Sequence, residues 1–356
     1  MKVRMIRVPL EYIRGAVPAD YFEITGPTLR ASDGHWSAEA TLPKPISARM
    51  TLPFSKFLSI VRTLDDDDDI KIELNGTTCR VKAEDTLWEL SLLNQSVEPT
   101  PEFQRINTIE VAGHLLFEAR KSLKHLILPW LARPGLMWAG TNEDHELVIG
   151  NGTSLGGHSI GIKGLELPNM VLSEIWRILG VSQSEMVTFD MGETQIRATT
   201  WNGYFQAALP NGRRFETDWY HKVRNLLNED PQVIRTSRSE LLYAINQVKI
   251  TAYDSTAELA LANGNLLLAS KDEYGDKSTT KIEAYGILKE PLSLNIDHLE
   301  AAVEVLTGEM IILTVCKSAV EVSDPTGWEI IPRIQQFPNP KVKEKNAYDT
   351  SKPQGS

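Results

Sequence analysis

One pattern, a short amphipathic helix followed by a polar break and an apolar strand, occurs three times in this chain. Its copies span residues 54–74, 172–191 and 296–315. Measured between matching leucines, successive copies are 115 and 127 residues apart. This period has the size of a domain rather than that of a solenoid repeat. The repetition therefore predicts three similar domains in tandem.

Each copy predicts a helix followed by three antiparallel strands. In the third copy, the apolar residues of 299–306 follow the i, i+3, i+4, i+7 spacing of a buried helix face. A looser version of the same unit precedes each copy, at about residues 9–42, 113–163 and 239–286. Each domain is therefore interpreted as two copies of one half, an α+β fold with two helices laid on antiparallel sheet.

Polar, proline-containing joints mark the predicted domain boundaries. They place the first domain at residues 1–103, the middle domain at 104–231 and the third at 232–338. Residues 339–356 are polar and have no apolar period, so they predict a disordered tail.

Composition indicates a soluble globular protein, with 42% hydrophobic and 24% charged residues. No run of about 20 apolar residues and no signal-peptide core occurs, so we expect a cytoplasmic protein without membrane contact. A net charge of −10 argues against a general coating of nucleic acid but permits a basic stripe. Cys79 and Cys316 have apolar neighbours, which favours buried free thiols over a disulfide or a ligand pair.

The acidic run Asp65–Asp69 raises the hypothesis of a metal site. It has neither the glycine nor the spaced acids of an EF-hand loop, so a solvated loop is favoured. Phosphate-binding, dinucleotide and Cys-x-x-Cys motifs do not occur, which predicts no metal and no cofactor. His114 and His125 are interpreted as ordinary helix residues.

Residues 157–161 match G-x-S-x-G, the nucleophile elbow of serine hydrolases, with Ser159 as the nucleophile. That motif requires a helix directly after the turn. Gly164 and Pro168 lie too close for one to begin, which favours a chance match.

The order of these features resembles that of the bacterial DNA polymerase sliding clamp, the β subunit and processivity factor of the replicase. The ending GWEIIPRI at 327–334 resembles the clamps' hydrophobic–Pro–basic–hydrophobic terminus. LGGHSI at 155–160 is similar to their middle-domain Gly-His segment, and RRFETDW at 213–219 to their Phe-Pro-Asp-aromatic turn. The resemblance covers residues 1–335, and the missing proline and short first domain indicate a diverged, phage-like member.

The resemblance implies a head-to-tail homodimer that closes a ring around duplex DNA, with helices lining the hole. Such a ring has no catalytic chemistry. It slides without reading sequence, tethers the replicative polymerase and is opened by a clamp loader, on the nucleoid during replication. The alternatives are a clamp-fold interaction scaffold that does not encircle DNA, and a hydrolase using Ser159.

A sliding surface needs basic side chains that attract phosphates without reading bases. The first five predicted helices contain nine basic and four acidic residues, although acids outnumber bases 47 to 37 in the whole chain. The sixth helix reverses this trend. The alternative is that these lysines and arginines lie on exposed helix faces, as they commonly do, without contacting DNA. The DNA-facing candidates are Arg14, Lys56, Arg62, Arg120, Lys121, Lys124, Arg177, Arg238 and Lys249.

The resemblance also implies an apolar pocket for short linear peptides of the polymerase and the loader, between the middle and third domains. Ser159 stands where the clamps often have a basic residue. The alternative is that the final isoleucines only complete the last strand. The pocket residues implied are Leu155, Gly157, His158, Ile160, Ile331, Pro332, Arg333 and Ile334.

Overall fold

The structure is a computed structural model that describes residues 1–127, 138–151, 153–209, 215 and 217–334. The predicted tail at 339–356 lies outside the described residues, as does part of the 213–219 motif. The described residues form seven α-helices: α1 (Arg4–Ala16), α2 (Phe54–Arg62), α3 (Gly113–Leu123), α4 (Asn169–Ser182), α5 (Thr217–Leu226), α6 (Arg238–Lys249) and α7 (Ile296–Val305).

The strands fall into three groups along the chain. The first unit has β1 (Tyr21–Ser32), β2 (Trp36–Pro53), β3 (Ile70–Asn75), β4 (Thr78–Ala83) and β5 (Thr86–Ser91). The middle unit has β6 (Asn107–Ala112), β7 (Trp138–Thr141), β8 (Glu146–Gly150), β9 (Leu155–Ser159), β10 (Glu166–Pro168), β11 (Met186–Met191), β12 (Gln195–Thr200) and β13 (Gly203–Ala208). The third unit has β14 (Gln232–Ser237), β15 (Thr256–Ala262), β16 (Asn265–Lys271), β17 (Lys277–Gly286), β18 (Leu292–Asn295), β19 (Met310–Val315), β20 (Ala319–Ser323) and β21 (Gly327–Pro332).

These strands form three antiparallel sheets, two of which join neighbouring units. A six-stranded sheet has the order β1-β2-β13-β12-β11-β6, and a twelve-stranded sheet runs β10-β7-β8-β9-β21-β20-β19-β14-β17-β16-β15-β18. β2 pairs with β13 between the first and middle units, and β9 pairs with β21 between the middle and third units. β3, β4 and β5 form a separate sheet. The predicted α+β architecture is confirmed, and the domain boundaries stay a prediction.

The six predicted helices pack side by side in one continuous row. Its order, read from neighbour to neighbour, is α2, α1, α4, α3, α7, α6. α1 packs on β2, α3 on β9 and α6 on β17, so the row lies against the sheets. The helix faces match the spacing argument: α6 buries Leu241, Ala244, Ile245 and Val248.

Three apolar clusters fill the space beneath these elements. One extends through the first and middle units, from Val3 to Ala207, and a second fills the third unit, from Ile234 to Ile331. A smaller cluster around Trp328 lies at the pairing of β9 with β21. Cys79 and Cys316 are buried free thiols, as predicted, and burial raises the pKa of Cys79 to about 11.

The first helix is longer than the sequence predicted. A short helix was expected to begin near Pro9, but α1 begins at Arg4. The N–H groups of Val3 and Arg4 donate to the carbonyls of Asp68 and Asp66, at 3.0 and 3.1 Å. These bonds satisfy the donors that an isolated helix would leave unpaired. The acidic run thus stabilises the first turn of α1.

The strands of the first unit also differ from the expectation of three short ones. β1 and β2 are single long strands whose pairing shifts register on either side of Gly26. Gly26 has a φ of 60°, which glycine adopts without strain. Gly26 and Pro27 therefore form a β-bulge rather than the turn expected there. α5 was missed because its residues were assigned to a turn.

One backbone contact recurs in all three units. In each unit, the first N–H of the first helix (α1, α3 or α6) donates to a backbone carbonyl. That carbonyl lies in the segment between the unit's second helix and the next strand. The pairs are Arg4 to Asp66, Gly113 to Glu185 and Arg238 to Glu309, at 3.1, 2.7 and 2.8 Å. This recurrence shows that the three units share the same local arrangement of first helix and following strand. None of the described helices is long and apolar enough to cross a membrane.

The close approach at Gly113 generates a prediction. A Cβ at Gly113 would lie 1.9 Å from the carbonyl oxygen of Ser184, so Gly113→Ala should destabilise the protein by about 1–3 kcal/mol. Gly180, on α4, has only ordinary contacts beyond 3.5 Å, so Gly180→Ala should stabilise it by about 0.5–1 kcal/mol. Urea unfolding midpoints measure both, and a neutral Gly113→Ala would contradict the packing.

Candidate nucleic-acid interface and unit joint

Five of the nine predicted DNA-facing residues make no ion pair with any described residue. Lys56, Lys121 and Lys124 are exposed on α2 and at the end of α3. The guanidinium of Arg14 lies 5.5 Å from the ring centroid of Phe54, and that of Arg120 lies 5.6 Å from that of Phe117. These residues belong to one row of helices and leave positive charge available there.

Three other candidates are engaged within the protein. Arg62 donates to both carboxylate oxygens of Glu11 at 2.7 and 2.9 Å. Arg177 donates to the carbonyls of Glu11 and Tyr12, and Arg238 to those of Val303 and Glu304. Because Val303 and Glu304 belong to the last turn of α7, Arg238 caps that helix end, whereas Arg177 binds carbonyls within α1 and joins α4 to it.

The ninth candidate, Lys249, explains the acidic sixth helix. Its ammonium pairs with Asp297 at 2.7 Å and with Glu300, both on α7. The hydrogen bonds that Lys249 donates to these two carboxylates raise its pKa. The bonds from Lys249 and Ser255 in turn lower the pKa of Asp297. Two of the three acids of α7 are therefore matched by a base on α6 rather than facing solvent alone.

The acidic run Asp65–Asp69 is exposed, and it forms ion pairs with basic side chains. The interpretation as a solvated loop did not predict these ion pairs. Three of its carboxylates pair with the start of the chain: Asp66 with Arg7 at 2.5 Å, Asp67 with Arg4 at 3.5 Å and Asp69 with Lys2 at 3.1 Å. In the described part of the chain, no group of three or more His, Cys, Asp or Glu residues could hold a metal ion.

Most of the predicted peptide-pocket residues are buried in the joint itself. Five of the eight are buried, and the most exposed of those with a side chain, His158, is 6% exposed. They are Leu155, Gly157, His158, Ile160 and Ile331. Pro332, Arg333 and Ile334 remain accessible, and Arg333 donates to the carbonyl of Cys316 at 2.9 Å. Leu155, Gly157 and His158 therefore lie in the β9–β21 ladder, whereas Ile160 belongs to the core of the first and middle units. The chain continues past that ladder to Arg333 and Ile334, which pair with β18 at the surface of the third unit.

An indole fills the joint where the sequence predicted an open pocket. A Cβ on Gly157 would lie 2.5 Å from the Trp328 ring, so the missing side chain makes room for Trp328. Val148, Leu155 and Tyr220 pack in the same cluster, and Phe215 lies at its edge.

Polar groups hold this indole from both sides. Its Nε1 donates to Glu146 at 2.9 Å, and Asn142 donates to both Glu146 and the Tyr220 hydroxyl. The Arg224 guanidinium lies 4.6 Å from the Trp328 ring centroid. Sequence reasoning did not find this network, because the bond from Trp328 to Glu146 joins residues that are 182 positions apart.

Two histidines of the joint are buried or paired. The Nε2 of His125 lies 2.8 Å from the carboxylate of Glu329, which is 3% exposed. His125 is therefore a joint residue, a contact that its interpretation as an ordinary helix residue did not predict. The Nδ1 of His158 lies 3.0 Å from Ser122 Oγ. Burial lowers the pKa of His158, so its ring is neutral near pH 7.

The G-x-S-x-G segment does not have the geometry of a nucleophile elbow. β9 ends at Ser159 and is followed by turns at Gly161 and Gly164, then by β10. A strand–turn–helix is what lifts the serine and aligns the oxyanion donors in that motif. Residues 160–165, all of them described, contain no helix.

Solved structures with the same architecture are DNA polymerase sliding clamps. One from Pseudomonas aeruginosa, solved with ligand, is 19% identical with a TM-score of 0.79, covering 94% of this chain and 98% of that one. The DNA polymerase III β subunit of Thermotoga maritima is 16% identical with a TM-score of 0.81, covering 95% and 99%. A Pseudomonas aeruginosa clamp bound to griselimycin is 17% identical with a TM-score of 0.78, covering 94% and 98%.

This chain has the sliding-clamp fold. The fold expected from the sequence resemblance is thereby confirmed over nearly the whole chain. No protein-family model matches the sequence, and no curated protein matches it. The sliding-clamp fold is thus present at sequence identities of 16–19% to these solved structures.

The His125–Glu329 contact generates a prediction about the joint. His125→Ala and Glu329→Gln should each lower the urea unfolding midpoint of the full chain. The double variant should reveal a coupling of about 1.5–3 kcal/mol, because one partner is a buried charged group. His114→Ala is the control, since His114 lies exposed on α3, the helix that ends just before His125. Combined with Glu329→Gln, it should show no coupling. Equal couplings for both histidines would contradict a specific contact.

Proposed function

We propose that this protein is a DNA polymerase processivity factor. Two copies join head to tail in a ring that encircles duplex DNA and slides on it without reading its sequence. The observation that carries this proposal is the likeness in fold to solved sliding clamps over 94–95% of the chain. The three-domain division at 1–103, 104–231 and 232–338 is part of the proposal.

Two open strand edges support the head-to-tail dimer. In the described residues, β5 pairs with β4 alone. One edge of β17 pairs with β16. On its other edge, β14 pairs only with Ala284–Gly286, so residues 277–283 have no strand partner there. Unpaired strand edges are templates for pairing with another chain. Because the edges lie in the first and third units, their pairing is heterologous and two copies can close a ring.

Charge complements these edges. Glu84, Asp85 and Glu89 are exposed at β5, whereas Lys277 and Lys281 are exposed on β17. Leu87 on β5 is 52% exposed, so a strand pairing with this edge would bury apolar surface there. Opposite charges on the two edges favour pairing of β5 with β17 over pairing of either edge with its own copy.

The row of helices supplies the surface for DNA. In the proposed ring it lines the hole, and Arg14, Lys56, Arg120, Lys121 and Lys124 contact phosphates. Such contacts give affinity without sequence preference. Arg62, Arg177, Arg238 and Lys249 support this surface by fixing helices to each other.

The joint between the middle and third units is the proposed site for polymerase and clamp-loader peptides. Pro332, Arg333 and Ile334 form its accessible rim, and Ile334 is 36% exposed. A rigid proline beside an apolar and a basic side chain suits an extended peptide. The clamp acts by topology rather than by catalysis, on DNA in the nucleoid. A scaffold with the same fold that does not encircle DNA is the second candidate.

The dimer edge generates a prediction that also tests the ring. Negative-stain electron microscopy of the purified protein should show rings with an open centre. Leu87→Asp should abolish them, because an unpaired charge would be buried against β17. Leu74→Asp is the matched control, since Leu74 is 44% exposed on β3, at the edge of the same sheet opposite to β5. Compact particles of the unmodified protein, or rings that survive Leu87→Asp, would contradict the proposal.

The DNA surface generates a second prediction. The double variant Lys121→Gln/Lys124→Gln should weaken binding to duplex DNA and reduce the slope of log K against log salt by about 2, because two phosphate contacts are lost. Fluorescence anisotropy at several salt concentrations measures this slope. Lys44→Gln/Lys82→Gln removes two exposed strand lysines outside the helix row and should leave it unchanged. Equal effects of the two double variants would indicate unspecific attraction only.

A further inference from the structure

A cavity of about 580 Å³ lies between the start of α3 and the end of α4. Apolar side chains line most of it, with Phe117 on one side and Leu179 and Met186 on the other. Its polar lining includes His114 and Glu185. The cavity is separate from the joint around Trp328 and from the open edges of β5 and β17. We call it the α3–α4 groove.

In the other two units, an arginine occupies the end of the second helix. Arg7 donates to the carbonyls of Val61 and Leu64 at the end of α2. Arg238 donates to the carbonyls of Val303 and Glu304 at the end of α7, at 3.0 and 2.8 Å. Both arginines come from the first helix of their unit. They satisfy carbonyls that the helix itself leaves unpaired and place positive charge at its negative end.

Among the described residues of the middle unit, no arginine donates to the carbonyls at the end of α4. Gly113 makes the backbone contact that Arg4 and Arg238 make in the other units. A side chain there would meet the carbonyl of Ser184 at 1.9 Å, which excludes an arginine at the place of Arg238, and Leu116 stands where α1 has Arg7. The last turn of α4 contains no basic residue. The groove therefore lies where the other units hold a guanidinium.

The lining of the groove suits an arginine side chain. The end of α4 supplies carbonyl oxygens and the negative end of a helix dipole. Glu185 adds a carboxylate at the wall, and the Phe117 ring offers a face to a cation. Leu179 and Met186 match the three methylenes of an arginine stem.

We propose that the α3–α4 groove binds an arginine side chain presented by a partner protein. That arginine caps α4 in trans, as Arg7 and Arg238 cap α2 and α7 within the chain. The proposal goes beyond the proposed ring and does not depend on it, because every group involved belongs to one unit of one copy. Arg120 is the nearest cation: its Nη1 lies 3.6 Å from the position of a Cβ on Gly180, and its guanidinium stacks on Phe117.

The test uses the full chain with methyl-¹³C-labelled methionine and the peptide Ac-Ala-Arg-Ala-NH₂. Met186 and Met310 begin the equivalent strands β11 and β19 and are 45% and 48% exposed. Met186 lines the groove. At the equivalent place beside Met310, Arg238 already occupies the end of α7. Titration should shift the Met186 signal and leave Met310 unchanged. Ac-Ala-citrulline-Ala-NH₂, the neutral analogue, should bind about tenfold more weakly.

Variants separate the groove from general attraction of cations. Glu185→Gln should weaken binding of the arginine peptide about two- to fivefold, whereas Glu309→Gln, at the equivalent place in the third unit, should not. Arg120→Gln should strengthen binding by a similar factor, because a like charge is removed.

Four results would overturn the proposal. They are no shift of Met186 at tens of millimolar peptide, equal shifts of Met186 and Met310, equal affinity for the citrulline peptide, and equal affinity for Ac-Ala-Leu-Ala-NH₂. The last would identify an apolar anchor as the occupant. The three variants change exposed or partly exposed side chains, and far-ultraviolet circular dichroism of each checks that it is folded.

Discussion

Main-chain pairing between units is the constraint on which the rest of the structure depends. β2 with β13 and β9 with β21 join units through ladders of hydrogen bonds, which are directional and fix register. A slip of one residue would turn every side chain of β21 to the opposite face. The ladders therefore set where each helix pair lies relative to the next, and the single row from α2 to α6 follows from them.

Charge is arranged around that row in two ways. Acids close to the helices are matched locally: Glu11 by Arg62, Asp297 and Glu300 by Lys249, and the run Asp65–Asp69 by the start of α1. Bases such as Lys121 and Lys124 are not matched within the described residues. A chain with a net charge of −10 can thus present positive charge along one layer, since attraction over short range depends on the local balance rather than on the total.

Sequence periodicity was sufficient to predict the helices and strands but not to predict which distant side chains contact each other. The spacing of Leu241, Ala244 and Ile245 predicted α6, because burial of one helix face is a local pattern. No local pattern indicates that Asp66 pairs with Arg7 or that His125 meets Glu329, 204 residues away. The accessible rim of the joint could be expected from the resemblance, but the filling of its interior could not. That depended on the packing of one indole against one glycine.

The filled joint limits how a partner peptide can bind there. To insert an anchor beneath the rim, a peptide must displace Trp328 and break its bond to Glu146, a net loss of about 0.5–1.5 kcal/mol. It must also separate the indole from Arg224 and from the Tyr220 cluster. A peptide that contacts only Pro332 and Ile334 avoids these losses but buries less apolar surface. Strong binding at this joint therefore requires an anchor large enough to replace the contacts of an indole, and weaker partners are confined to the rim.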